Sequence, residues 1–158
     1  MNWIIRCLCV FFLFLVSFFS VAEENTGALF SAATMGRLEG VNSILSRGFD
    51  VNSQTAAGRT ALMGAAFFGN EQIVKSLLAH GADVNLADAR GVTAMMDAVM
   101  FAHRDIVELL ITVGADINAK DKNGLSILEK AKKVGDKSVI DLLTAAGAMD
   151  QEKQEATQ

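Results

Sequence analysis

The stretch TALMGAAFFGNEQIVKSLLAHGADVNLA, residues 60–87, decides the fold, because it returns as TAMMDAVMFAHRDIVELLITVGADINAK at residues 93–120. The offset is 33 residues at every matched position: Gly58 with Gly91, Thr60 with Thr93, Ile73 with Ile106, Gly81 with Gly114 and Asn85 with Asn118. A fixed period of this size marks units stacked in a row, each too small to bury its own apolar face.

Inside one unit the residues spell two helices. Thr60 has the hydroxyl of a helix N-cap, and Leu62, Ala65 and Ala66 follow as a narrow apolar face. The small alanines let helix layers approach closely. Gly69 ends this short helix, since glycine turns the chain without a Cβ penalty. Asn70 opens a second helix whose Ile73, Val74, Leu77 and Leu78 form a helical apolar stripe. Gly81 ends it, and Asp83 and Asn85 begin the turn toward the next unit. The following unit repeats this with Met95, Ala98, Val99, Ile106, Val107, Leu110 and Ile111. There Ala102 stands where the earlier unit has Gly69, which predicts a strained turn.

Working outward gives two end units. Residues 29–54 form a degenerate first repeat, with Gly36 and Gly48 lying 33 residues before Gly69 and Gly81. Residues 55–87 and 88–120 are the second and third. Residues 121–148 form the last, where Ser126 and Glu129 are spaced as a capping box. Its lysines, Lys130, Lys132, Lys133 and Lys137, give it the wetter surface that a terminal unit needs.

The pattern Gly-x-Thr-Ala-Leu-Met … Ala-Ala … Gly … Ile-Val … Leu-Leu … Gly-Ala-Asp-Val-Asn resembles the ankyrin repeat. The resemblance covers nearly all of residues 29–149 and implies an all-α solenoid of about four stacked helix-turn-helix units joined by β-hairpin-like turns. The family's Thr-Pro-Leu-His motif stands here as Thr60-Ala61-Leu62-Met63, Thr93-Ala94-Met95-Met96 and Ser126-Ile127-Leu128-Glu129. The chain contains no proline, so the rigidity that proline gives a first helical turn is missing. The family histidine ties neighbouring repeats by hydrogen bonds, whereas Met63 and Met96 can only fill space. Modest stability is therefore expected.

The resemblance also implies a way of binding, since ankyrin-like stacks usually hold other proteins through hairpin tips and the exposed side of the inner helices. Carried over by position, the hairpin set is Ala56, Ala57 and Arg59, then Ala89, Arg90 and Val92, then Lys122, Asn123 and Leu125. The inner-helix set is Thr34 and Met35, Phe67 and Phe68, Met100 and Phe101, Lys133 and Val134. Met35, Phe68, Phe101 and Val134 are 33 apart and should line up along the stack. Aromatic and methionine side chains in such a row suit a hydrophobic anchor site for a protein partner. They equally suit packing over the ends of short helices, and the sequence leaves both readings open.

The chain has 158 residues and a formal net charge of −4, enough for one domain and without the basic field that nucleic acid requires. Met1 to Ala22, MNWIIRCLCVFFLFLVSFFSVA, has the layout of a secretory signal peptide: Arg6, an apolar core, and small residues before a polar Glu23-Glu24-Asn25. The uninterrupted run from Cys7 to Ala22 is 16 residues, short of the roughly 20 that span a bilayer. Cleavage after Ala22 would remove both cysteines, Cys7 and Cys9, and leave a chain fit for an oxidising compartment. Residues 23–28 read as a short linker and 150–158 as a disordered tail.

The remaining residues suggest no chemistry. His80 and His103 fall in different repeats, no cysteine nucleophile survives cleavage, and no phosphate loop occurs. Asp116-x-Asn118 and Asp121-x-Asn123-Gly124 fail the calcium-loop order, which would put Ala119 first and Lys130 last. No cofactor and no metal are expected, and no catalysis. The expectation is a monomeric, non-enzymatic binding module, similar to small exported ankyrin repeat proteins of bacteria. It would meet a protein partner in the periplasm, without binding nucleic acid or, after cleavage, a membrane. Two other settings stay open: a secreted effector acting on host proteins, or a membrane-tethered scaffold if Met1 to Ala22 is retained.

Overall fold

A computed structural model of the chain describes residues 27–149. The expected signal segment, most of the linker and the tail from 150 lie outside the described residues. Among those described, no helix is long and apolar enough to cross a membrane.

Eight helices follow one another in four pairs: α1 (residues 27–34) and α2 (Leu38–Ser46), α3 (Ala61–Phe67) and α4 (Glu71–Ala79), α5 (Ala94–Met100) and α6 (Arg104–Thr112), α7 (Ile127–Val134) and α8 (Lys137–Ala145). Residues 27 and 28, read as linker from the sequence, already belong to α1. The odd-numbered helices pack on one another in one row and the even-numbered ones in a second, so α3 lies against α5, α5 against α7, α4 against α6 and α6 against α8. Between pairs the chain folds out into hairpin turns closed by antiparallel bridges, Gln54 with Thr60, Ala87 with Thr93 and Lys120 with Ser126.

The core is the period made solid. Leu29, Leu62, Met95 and Leu128 form one buried column, and Ala32, Ala65, Ala98 and Ala131 form another. Alanine in the second column keeps the inner helices close, because a longer side chain would force the layers apart. In the outer row Ile73, Ile106 and Val139 occupy equivalent places, each at most 2% exposed. Met63 and Met96 are also buried, as their apolar, hydrogen-bond-poor side chains require.

The helix starts are built as their residues dictate. Thr60 and Thr93 accept from the backbone N–H of Met63 and Met96. Ser126 and Glu129 close a reciprocal capping box. Asn70 departs from its expected role: it stands at the start of α4, yet its side chain makes no cap there. Its Nδ2 instead donates to the carbonyl of Ala33 in the preceding unit, at 2.8 Å. His103, 33 residues on, does the same, with Nε2 at 3.1 Å from the Phe67 carbonyl. Since a carbonyl only accepts, that ring carries its proton on Nε2.

A second ladder runs along the opposite turns. The carboxylates of Asp50, Asp83 and Asp116 accept from the backbone N–H of Asn52, Asn85 and Asn118. Each asparagine Oδ1 then accepts from the backbone of the next unit: Asn52 from Asp83, Asn85 from Asp116, and Asn118 from Met149. Hairpin tips are joined too, with Ala89 N–H donating to the Ala57 carbonyl and Lys122 N–H to the Arg90 carbonyl. Among the described residues no buried side-chain nitrogen or oxygen lacks a partner.

The turn inside each pair passes through the left-handed region at Gly36, Gly69, Ala102 and Gly135. Ala102, at φ 54°, is the one non-glycine with positive φ among the described residues. Its Cβ crowds the backbone there, which glycine avoids. Ala102→Gly is expected to raise stability by about 0.5–1 kcal/mol, read as a higher urea midpoint with an unchanged slope.

Candidate interaction face

The face that carries the site is the flank where hairpins and inner helices meet. Helices α3 and α5 end at Phe68 and Phe101, which project outward because each lies one residue past the last residue of its helix. Along this flank Met35 is 61% exposed, Phe68 57%, Phe101 45%, Met100 42% and Val134 42%. These five are expected site residues, and the structure brings them onto one flank at successive units. Two further exposed hydrophobics, Val113 and Met149, lie elsewhere, in the turns after α6 and α8.

Phe67 holds the row together. It is half-buried, and its ring meets Phe68 edge-on at 4.9 Å between centroids and Phe101 at 4.3 Å. Such pairs add to the stability that burial gives. Phe101 in turn stacks on His103. Phe67 thus anchors the cluster from within, and the outward contact surface belongs to Phe68 and Phe101.

The hairpin residues divide differently. Val92 is only 6% exposed; it is a core residue under its hairpin and offers a partner no side chain. Arg59 is also turned inward. Its guanidinium donates to Asp97 Oδ2 at 2.6 Å, lies 3.5 Å from Asp88 Oδ2 and sits over the Phe67 ring at 5.9 Å. Its side chain is 16% exposed, so it is a tie between the second and third units more than a contact for a partner. Arg90 and Lys133 remain exposed; Arg90 reaches Asp88 at 3.2 Å while its side chain stays 71% exposed.

The charged network under this face was not foreseen. Asp97 is buried within α5, and its place is taken by Gly64 one unit before and Lys130 one unit after. Lys130 is buried as well and pairs with Asp121 Oδ2. Asp88 and Asp121 both hold their own hairpins, each accepting two backbone N–H groups through Oδ1. A lone charge inside a repeating apolar pattern was the available signal: Asp97 interrupts the small-residue helix face and needs a partner once buried.

The titration of these groups runs in opposite directions. Burial pushes the Asp97 carboxyl above its ordinary 3.8, outweighing the pull of Arg59. Burial also acts upward on Asp88 and Asp121. There the backbone donors and the Arg90 or Lys130 cation win, and both fall below 3.8. Glu129 is lowered by Ser126, and Asp136 by Ser138 and Val139. A carboxylate lowered in the fold stabilises it above the unfolded value and loses that contribution as pH falls through the folded value. A raised one does the reverse, stabilising at low pH and losing that contribution as pH rises through its window. Four lowered groups against one raised predict acid unfolding below about pH 4. Asp97→Asn should make the loss between pH 5 and pH 4 steeper, since it removes the opposing gain; urea midpoints across that range measure it.

Nothing in the arrangement is catalytic. His80 Nδ1 lies against the Ser76 carbonyl and His103 against that of Phe67. Among the described residues no group of three His, Cys, Asp or Glu side chains could hold a metal ion. The sequence matches the model of one protein family, described as ankyrin repeats (3 copies), over residues 29–121. Helices α7 and α8 extend the same arrangement beyond that stretch. No curated protein matches the chain.

Proposed function

Because the chain belongs to the ankyrin repeat family, whose repeats are generally protein–protein interaction modules, we propose that it is an exported, non-enzymatic module that grips a periplasmic protein across the flank of its inner helices and hairpin tips. The observation that carries this is the exposure of Met35, Phe68, Met100, Phe101 and Val134 in successive units. Large apolar side chains in a continuous exposed row are costly in water and mark a surface that another macromolecule covers. Export rests on the layout of Met1 to Ala22.

The test is capture of a partner by the mature protein, compared with Phe68→Ala combined with Phe101→Ala. Both side chains are about half exposed, so the helical circular dichroism should stay as it is while capture falls by at least about tenfold. Loss of the helical signal would instead assign the row to packing. Export is tested by the N-terminal residue of the mature chain, expected to be Glu23, and by recovery in the periplasmic fraction.

A further inference from the structure

The row is not uniform, and its one vacancy points to the chemistry of what it holds. At the centre of each inner helix the matching positions are Gly64, Asp97 and Lys130. Asp97 and Lys130 fill their places and are ion-paired. Gly64 does not, so a dimple opens between the first two units, lined by Phe30, Thr34, Arg59, Gly64, Phe67 and Phe68. Its volume is about 240 Å³, below the roughly 300–1,000 Å³ of sites that enclose small molecules and cofactors. That volume suits a single side chain. Its walls are three phenylalanine rings and a threonine. The one cation, Arg59, is already committed to Asp97 and Asp88.

Charge on the same flank changes along the stack. The tip of the second unit is neutral, Ala56 and Ala57. The third carries the exposed Arg90 and the fourth the exposed Lys122, and Lys133 is exposed where the earlier units have Phe67 and Met100. The acids of this flank, Asp88, Asp97 and Asp121, are buried and tied to Arg59, Arg90 and Lys130. The outer row exposes Glu39, Asp105, Glu108 and Asp141 instead.

Resting on the reading that this flank binds protein, we propose that it holds an extended acidic segment of the partner, with one aromatic or large aliphatic side chain in the Gly64 dimple and carboxylates running toward Arg90, Lys122 and Lys133. An apolar anchor gives such a complex its affinity, and complementary charge gives it direction.

The experiment uses fluorescein-labelled peptides with one tryptophan flanked by glutamates, read by anisotropy on the mature protein. The tryptophan–glutamate peptide should bind saturably. Replacing its tryptophan by alanine, or its glutamates by lysines, should each weaken binding by at least about tenfold. On the protein, Phe68→Ala should match the first loss and Lys122→Glu with Lys133→Glu the second. These three positions are exposed, and unchanged circular dichroism verifies the fold. Equal binding of the alanine peptide would overturn the anchor, and equal binding of the lysine peptide would overturn the charge. A dimer in sedimentation that Phe68→Ala dissolves would give the dimple to a second copy of the chain and overturn the proposal. Failure of every peptide, with a natural partner still captured through Phe68 and Phe101, would overturn this chemistry and leave the binding function standing.

Discussion

Arg59→Ala is expected to destabilise the protein by about 3 kcal/mol or more, the range found when one member of a buried ion pair is removed. The arginine serves two carboxylates, Asp97 at 2.6 Å and Asp88 at 3.5 Å, whose side chains are 3% and 2% exposed. Without it Asp97 remains in α5 with no guanidinium beside it and must either stay charged in a poor dielectric or take up a proton. The reciprocal change, Asp97→Ala, should cost less, because Arg59 keeps Asp88 and some access to water. The order of the two losses in urea titrations is the test: a larger loss for Asp97→Ala would mean that the helix side of the pair, and not the hairpin side, holds the units together. The Arg59→Ala deficit should also shrink on acidification. Asp97 then loses the partner that was lowering its pKa, so its protonated form dominates at a higher pH.

Gly91→Ala is the second large effect, expected at about 2 kcal/mol. Gly91 lies at φ +76°, where an alanine is strained by about 1–2 kcal/mol. A Cβ there would also stand 2.9 Å from the Lys122 backbone nitrogen and 3.2 Å from Asp121 Cα. That nitrogen donates to the Arg90 carbonyl, and losing the bond adds about 1 kcal/mol. Gly124 is the matched control. It has nearly the same φ, +79°, but a Cβ on it would meet nothing within 4 Å. Gly124→Ala should therefore show the strain alone. Equal losses at the two positions would mean that contact between hairpins contributes nothing.

The architecture was legible because it is written three times over. Ile73 and Ile106, or Gly81 and Gly114, each confirm the other's place, and one unit's reading transfers to the next. The candidate site was legible where it followed the period, as at Phe68 and Phe101. It was misread where equivalent positions differ in surroundings. Val92 was assigned to the surface by analogy with Arg59 and is core. Arg59 is chemically suited to a partner, but it is drawn inward by Asp97, a residue 38 positions later with no counterpart in the other units. Gly64 looked like a mere helix-interior glycine, a choice that weakens a helix by roughly 0.5–1 kcal/mol. Its meaning depends on the Phe30 ring and Thr34 methyl that would collide with a Cβ there, and those come from another unit. Periodicity reports what repeats, while specific chemistry sits in the exceptions.

The asparagine ladder bears on how such a chain changes length. Asn52 and Asn85 each take their N–H from the aspartate that opens the next turn, and Asn118, with no fifth turn to meet, takes it from the main chain at Met149. The last joint therefore asks only for an amide, which almost any residue supplies. Duplicating or deleting a whole 33-residue block would leave every junction chemically intact, so descendants of this protein could be longer or shorter without inventing a new end.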